Sequence, residues 1–159
     1  MKKEKQIERC YYLSLVGCLE IEATNGAITK LVFCETPPDM IVKSDNPVLQ
    51  QCCLEIDEYF AGKRKKFDIK TDFTGTPFQN KVWQELLKIP YGKTISYADL
   101  AKGIKRPKAC RAVGSANGKN PIAIIIPCHR VIAANGTLGG YAYGLEVKKR
   151  LLDLENNNV

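Results

Sequence analysis

A small α/β unit followed by a mainly α-helical unit with a candidate helix-turn-helix is the fold class that this 159-residue sequence predicts. Three observations point there. An alternating stretch with an Asn-Gly turn and one helical run occupy residues 1–75; two capping boxes open short helices in residues 76–159; and the charge divides at the same place. Residues 1–75 carry 11 Lys+Arg against 12 Asp+Glu, a net of −1, whereas residues 76–159 carry 13 against 5, a net of +8.

In the first unit, the stretch from Tyr11 to Glu35 reads as two or three short strands. Cys18–Ala23 alternates polar and apolar residues, and Asn25-Gly26 is a two-residue hairpin signal because both positions tolerate a left-handed backbone. Thr36–Asp45, with two prolines, reads as a loop. Asn46-Pro47 is an N-cap followed by proline in the first turn; Leu49, Cys52/Cys53, Ile56 and Tyr59/Phe60 then recur at helical spacing until Gly62. Phe67–Phe73 is expected to be a further strand.

Thr74-Gly75-Thr76 is the expected junction. Thr76 and Gln79 form a capping box ahead of a helix whose buried stripe is Phe78, Val82, Leu86 and Ile89, and Pro90-Tyr91-Gly92 ends it. Ser96 and Asp99 form a second box, opening a helix that closes at Gly103, and a third helix is expected from Pro107 to about Ala116. Two short helices joined by a tight turn suit either a helix-turn-helix or plain helix packing. Lys102–Lys119 holds six basic residues and no acidic one, which fits a polyanion partner as well as a solvated face. The short side chains on the third helix, among them Ala109, Ala112 and Gly114, offer little direct readout of base edges, so weak sequence preference is expected.

Seven cysteines in an odd, irregular set without a CxxC suggest a reducing compartment and a cytoplasmic protein. Glu4, Glu8 and Glu20 interrupt any signal-peptide pattern, and no segment approaches the ~20 apolar residues that cross a bilayer. One histidine and no paired ligand spacing argue against zinc, so no metal is expected. Six of the seven thiols read as buried and inert.

The exception is Cys128, which stands beside the single histidine in IIIPCHRVI. Neighbours on a regular strand point to opposite faces, so Cys128 and His129 cannot meet if the apolar strand Ile122–Ile126 continues. Pro127 favours a turn, which would let the imidazole approach the sulfur directly or through one water. A free thiol is only slightly ionised at neutral pH, and a histidine able to take its proton, steadied by a carboxylate, changes that. Packing of two reactive residues remains the other reading of the pair.

The segments PFQNKVWQELLKIPYGKTISYADLAKGIKRPKACRAVGSANGKNP, IPCHRVI and NGTLGGYAYGLEVKKRLLDLE together resemble the O6-alkylguanine-DNA alkyltransferases over Thr76–Glu155. The resemblance implies a ribonuclease-H-like α/β domain over residues 1–75 and a winged-helix-like DNA-binding and alkyl-acceptor domain over residues 76–159. It implies DNA repair by direct reversal. The alkyl group of O6-alkylguanine, and of O4-methylthymine, moves irreversibly from a flipped-out nucleotide to the protein's own cysteine, one turnover per molecule. No cofactor is implied, and the expected state is a monomer bound to double-stranded DNA.

By the same resemblance Cys128 is the alkyl acceptor, His129 takes its proton through a water, and Glu155 backs the histidine. Asn120 braces the active-site turn, and Tyr97 supports the leaving base. Arg111 fills the vacated place in the duplex. Arg106, Lys108, Ala98, Ala109, Ala112 and Ala134 face DNA. Ala123, Tyr141, Ala142 and Tyr143 shape the alkyl pocket, with Tyr143 expected to narrow it where many members carry glycine. The alternative is a non-catalytic binder of alkylated DNA.

Overall fold

The computed structural model describes residues 6–35, 39 and 44–159. The chain divides into two compact units, Met1–Phe73 and Thr74–Val159.

In the first unit, β1 (Ile7–Ser14), β2 (Gly17–Thr24) and β3 (Ala27–Phe33) form an antiparallel sheet in the order β1-β2-β3. The first strand starts earlier than expected from Tyr11. Asn25 (φ 51°) and Gly26 (φ 77°) both occupy the left-handed region, the turn whose twist matches the flanking strands. Leu19, Ile21 and Ala23 are buried, while Glu20 and Glu22 on the opposite face pair with Arg9 at 2.9 and 2.6 Å.

The helix α1 (Pro47–Phe60) covers the sheet with Leu49, Cys52, Ile56 and Tyr59, all fully buried. Asn46 Oδ1 accepts the N–H groups of Val48 (2.9 Å) and Leu49 (3.2 Å), closing two donors that a helix start leaves open.

Phe67–Phe73 is not a strand. It makes one parallel bridge, Ile28 to Thr71, with Ile28 N donating to Lys70 O (2.8 Å) and Asp72 N to Ile28 O (2.9 Å). The reason lies in α1: buried Glu55 accepts the N–H groups of Asp68 (2.7 Å) and Ile69 (3.1 Å), which a ladder would otherwise use. The expected loop Thr36–Asp45 falls mostly outside the described residues.

The second unit begins with α2 (Pro77–Leu86), capped reciprocally by Thr76 and Gln79. After a turn come β4 (Ile95–Ser96) and α3 (Tyr97–Gly103), whose capping box is Ser96 with Asp99. Asp99 N donates to Ser96 Oγ (3.0 Å) and Ser96 N to Asp99 Oδ2 (3.1 Å). The next helix, α4, spans Cys110–Gly118 rather than starting at Pro107. The chain leaves α3 through Lys105 in the left-handed region (φ 61°), with Arg106 N reaching back to Ala101 O (2.9 Å). Pro107 therefore follows a helix stop, a place where proline is common, and Lys108 sits in the turn instead of on the helix.

Helices α2, α3 and α4 pack together, and the Trp83 indole N–H donates to Ala116 O at 2.9 Å inside that core. The unit closes with β5 (Val131–Ile132), parallel to β4, and α5 (Leu145–Asn157). No helix of the described residues is long and apolar enough to cross a membrane.

Because Ser96 both ends β4 and caps α3, Ser96→Ala should lower the unfolding free energy by about 1 kcal/mol, the usual value of a lost cap. Urea denaturation measures it, and an unchanged midpoint would contradict the capping argument.

Candidate active site

The segment Ile122–Arg130 is entirely buried, and it is a compact turn, not a strand. Ile126 N donates to Ile122 O (3.0 Å), Ile125 N to Ala123 O (2.8 Å), and Cys128 N to Ile126 O (2.8 Å). Ile124 has φ 70°, a region costly for a β-branched residue and tolerated only where surroundings enforce it. Asn120 does part of that enforcing: its Oδ1 accepts Ile122 N (2.9 Å) and its Nδ2 donates to Ile126 O (2.7 Å). The chain has therefore turned before Pro127, and Cys128–Arg130 forms a single 3-10 turn leading into β5. Asn117 Nδ2 fixes the Cys128 carbonyl at 3.3 Å.

The thiol of Cys128 opens on a cleft of about 250 Å³ whose walls include Tyr97, Asn120, Tyr141, Ala142 and Tyr143. Burial pushes this thiol up from its ordinary pKa; hydrogen bonds from Asn120 and Tyr141 and the charge of Lys148 oppose the shift. Tyr141 and Tyr143 meet edge-to-face with centroids 5.5 Å apart, and burial raises the Tyr143 hydroxyl to about 12. Ala123 is fully buried in the turn and is not among the residues that line the cleft.

His129 is fully buried, and its Nε2 lies 2.5 Å from Glu155 Oε2. The other carboxylate oxygen accepts Arg130 Nε (2.7 Å) and Gly92 N (3.1 Å), while Arg130 Nη1 donates to Ile89 O (2.8 Å). Burial alone would raise the pKa of Glu155, but His129 and Arg130 outweigh it and hold the carboxyl well below the usual range. Burial pushes His129 down, against the pull of Glu155. The pair is thus an ionised carboxylate and a neutral imidazole with its proton on Nε2, leaving Nδ1 as the proton-accepting nitrogen. That Nδ1 is buried and has no hydrogen-bond partner among the described residues.

Two parts of this arrangement had no signal in the motif reading. Arg130 is the permanent counter-charge of Glu155, and Lys148 is completely buried on α5. Its Nζ donates to Val131 O (2.6 Å), Leu138 O (2.6 Å) and Gly140 O (3.0 Å), and lies 5.9 and 6.0 Å from the Tyr97 and Tyr141 ring centroids. Burial lowers its pKa to about 8, partly offset by Cys128. Lys148 thus clamps the loop after β5 against the cleft. Tyr97, the first residue of α3, donates its hydroxyl to Gly140 O at 3.4 Å, and Gly139 (φ 68°) admits it, since a Cβ there would lie 3.1 Å from the ring. A helical period of 3.6 places Lys148 on the inner face of α5, but a lysine in that stripe reads as a solvated position from sequence alone.

The expected DNA-facing residues are spread over α3, the turn after it, α4 and the loop after β5. Arg106, Lys108, Arg111 and Ala112 are exposed, Ala109 and Ala98 half-buried, and Ala134 is exposed in the loop after β5. Arg106, Lys108 and Arg111 join no ion pair among the described residues. Gly114 of α4 faces Tyr97: a Cβ there would meet the ring at 3.8 Å, so the basic helix and the cleft share a wall.

Residues 77–157 match the family profile for the 6-O-methylguanine DNA methyltransferase DNA binding domain, and residues 8–73 match that for its ribonuclease-like domain. The chain belongs to the 6-O-methylguanine DNA methyltransferase family. Within it, a methylated-DNA–protein-cysteine methyltransferase of Methanosarcina mazei is 51% identical over 123 residues, covering 77% of each chain. The inducible enzyme of that name from Bacillus subtilis is 49% identical over 118 residues, 74% of this chain and 66% of its own length. The crystal structure of the Mycobacterium tuberculosis O6-methylguanine methyltransferase superposes with a TM-score of 0.87 at 39% identity, covering 97% of this chain and 95% of that one. The same protein in complex with DNA superposes at 0.85 with 42% identity, covering 94% and 92%. Both units therefore have the two-part fold of this methyltransferase family.

Glu155→Gln removes the one anion between His129 and Arg130 and leaves a buried guanidinium unpaired, at a cost of about 3–5 kcal/mol. A carboxyl with a depressed pKa stabilises the fold above its ordinary value of about 4.3 and loses that contribution as pH falls towards its folded value. The gap between wild type and Glu155→Gln in chemical denaturation should accordingly be full at pH 7 and shrink on acidification below about pH 4. A gap independent of pH would mean that the carboxylate charge is not what holds the cluster.

Proposed function

We propose that this protein repairs DNA by direct reversal, accepting the alkyl group of O6-alkylguanine, and of O4-methylthymine, on Cys128. The observation that carries this reading is a thiol lining a small cleft, next in sequence to a buried imidazole whose Nδ1 has no hydrogen-bond partner among the described residues, with the cleft walled in part by α4, whose exposed Arg111 is close by in sequence. The chemistry fits the cleft. Attack of sulfur on an sp³ carbon is an in-line displacement without a tetrahedral oxyanion, so the site needs an ionised sulfur and a way to neutralise the departing base.

In this reading the Cys128 proton passes to His129 Nδ1, directly or through a water, and the resulting imidazolium is stabilised by Glu155, whose own charge is already balanced by Arg130. The sulfur then forms its S–C bond as the O6–C bond of the base breaks. Tyr97, aimed across the cleft, gives a hydrogen bond or proton to the departing guanine. The new thioether has no route back to a thiol, so each molecule acts once. A buried sulfur cannot reach a stacked base, which requires the nucleotide to be extruded, with the exposed Arg111 taking its place in the duplex. Arg106 and Lys108 contact phosphates, and Ala98, Ala109, Ala112 and Ala134 allow close backbone approach. Tyr143 on the cleft wall favours methyl over bulkier alkyl groups.

The reading is tested by mixing the protein with duplex DNA carrying one O6-methylguanine and recording intact mass. Wild type should gain one methylene unit, on Cys128, saturating at one per molecule; Cys128→Ser should gain none while still binding. Retained DNA binding with unchanged wild-type mass would instead identify a non-catalytic binder. Arg111→Ala should slow transfer by at least about tenfold, the scale of one lost positioning contact.

The single-turnover rate should also depend on pH in a bell shape. His129 accepts a proton only while neutral, and its lowered pKa puts the acid limb below the ordinary histidine value of about 6.5. Lys148 loses its proton near 8, which weakens the loop clamp and gives the alkaline limb. Rapid-quench measurements of methyl transfer from pH 5 to 9 would show both limbs, and a rate that simply climbs with thiol ionisation would remove Lys148 from the account.

A further inference from the structure

The first unit holds a second pair of sulfurs that the alkyl-transfer chemistry does not use. Cys10 on β1 and Cys53 on α1 stand with their Sγ atoms 3.7 Å apart, both as free thiols. They form one rung of a strand–helix ladder. Two residues further along β1, Tyr12 donates its hydroxyl to Asp57, one helical turn beyond Cys53, at 2.7 Å. Both sulfurs open on a cleft of about 460 Å³ that also has Tyr12, Leu49 and Gln50 in its walls, so a small reagent can reach them. Cys10 is buried and Cys53 half-buried, so the two are unequal in access: either sulfur can donate in their contact, and Cys53 is the one nearer solvent, with its pKa drawn down by Cys10 while Cys53 and burial push Cys10 up. Neighbouring Cys52 faces the core and is completely buried.

We propose that Cys10 and Cys53 form a peroxide-reactive dithiol, with Cys53 as the attacking sulfur and Cys10 as the resolving one, closing a reversible disulfide between β1 and α1. The thiolate of Cys53 attacks one oxygen of hydrogen peroxide and breaks the O–O bond, giving Cys53 sulfenic acid and hydroxide. The Cys10 sulfur then displaces the sulfenic hydroxyl, forming the S–S bond and releasing water. Two thiols lose two electrons in all, and one hydroperoxide is reduced. The sulfurs must close from 3.7 Å to the bonding distance of about 2.05 Å.

The site also has a selectivity. Cys128 is 3% exposed and burial pushes its thiol up, whereas Cys53 is half-buried on a wider cleft, so peroxide is expected to reach Cys53 before the alkyl acceptor. Cys18 and Cys34 are a weaker candidate, because Cys34 directs its thiol at the Cys18 carbonyl (3.4 Å).

The test uses the full chain with Cys110→Ser, which removes the one exposed thiol and with it bridging between molecules. One equivalent of hydrogen peroxide is added, free thiols are blocked, and intact mass and linked peptides are read. The expected product has lost two hydrogens, contains a Cys10–Cys53 peptide pair, and keeps Cys128 free and able to take a methyl group. Cys10→Ser should instead accumulate sulfenic acid at Cys53, trapped by a dione reagent, and Cys53→Ser should slow peroxide consumption by about tenfold. Oxidation first at Cys128, a Cys18–Cys34 bridge in place of Cys10–Cys53, or wild-type consumption by Cys53→Ser would each overturn the assignment.

Discussion

The second unit depends on one buried carboxylate. Glu155, on the last helix, accepts hydrogen bonds from His129 and Arg130 in the 3-10 turn and from the backbone of Gly92 in the loop after α2. Each of these donors would be costly to bury alone, and together they make one ion a junction of three chain segments. Its charge has two tasks that coincide in space. It ties α5 to the reactive turn, and it sets the imidazole tautomer that leaves Nδ1 free. The fixed cation Arg130 keeps Glu155 ionised through any change at His129, so the carboxylate holds its charge while the histidine gains and loses a proton.

A second layer of constraint comes from Lys148. A completely buried ammonium is expensive unless its hydrogens are satisfied, and three backbone carbonyls satisfy them here. Two of those carbonyls belong to the loop carrying the cleft wall, so the lysine converts its own desolvation into loop position. The family relationship places this arrangement in a methyltransferase fold, and around the Cys128 sulfur Asn120, Tyr141 and Lys148 oppose the rise in pKa that burial causes.

How much of this was legible in the sequence follows from which interactions are local. Caps and turns are local, and Asn25-Gly26, Asn46, Thr76 with Gln79, and Ser96 with Asp99 all act as their residue types predict. Errors arose where a distant side chain claimed a backbone group. Glu55 of α1 takes the N–H groups that would have made Phe67–Phe73 a strand, and Asn120 bends an isoleucine-rich run whose composition favours an extended chain. The start of α4 shifted because a helix stop at Lys105 precedes Pro107, a feature that the proline disguises as a helix start. For the site, the contact of His129 with Glu155 and the bracing of the turn by Asn120 were legible through resemblance. Arg130 and Lys148 were not, because a cation announces burial only when its partners' positions are known.

The smallest sheet in the protein has a consequence out of proportion to its size. Ile95 pairs with Val131 and Ser96 with Ile132, and that is the whole ladder. On one strand the next residue is Tyr97; on the other the preceding turn contains Cys128. The spacing between the Tyr97 side chain and the turn that carries Cys128 is thus set by one register. A single residue inserted between Cys128 and Val131 would add roughly 2 Å of 3-10 rise and rotate the turn, displacing Cys128 relative to Tyr97. Substitutions can be absorbed by repacking, but the chain length across this segment behaves as a fixed gauge, so insertions and deletions there are excluded far more strictly than changes of residue type.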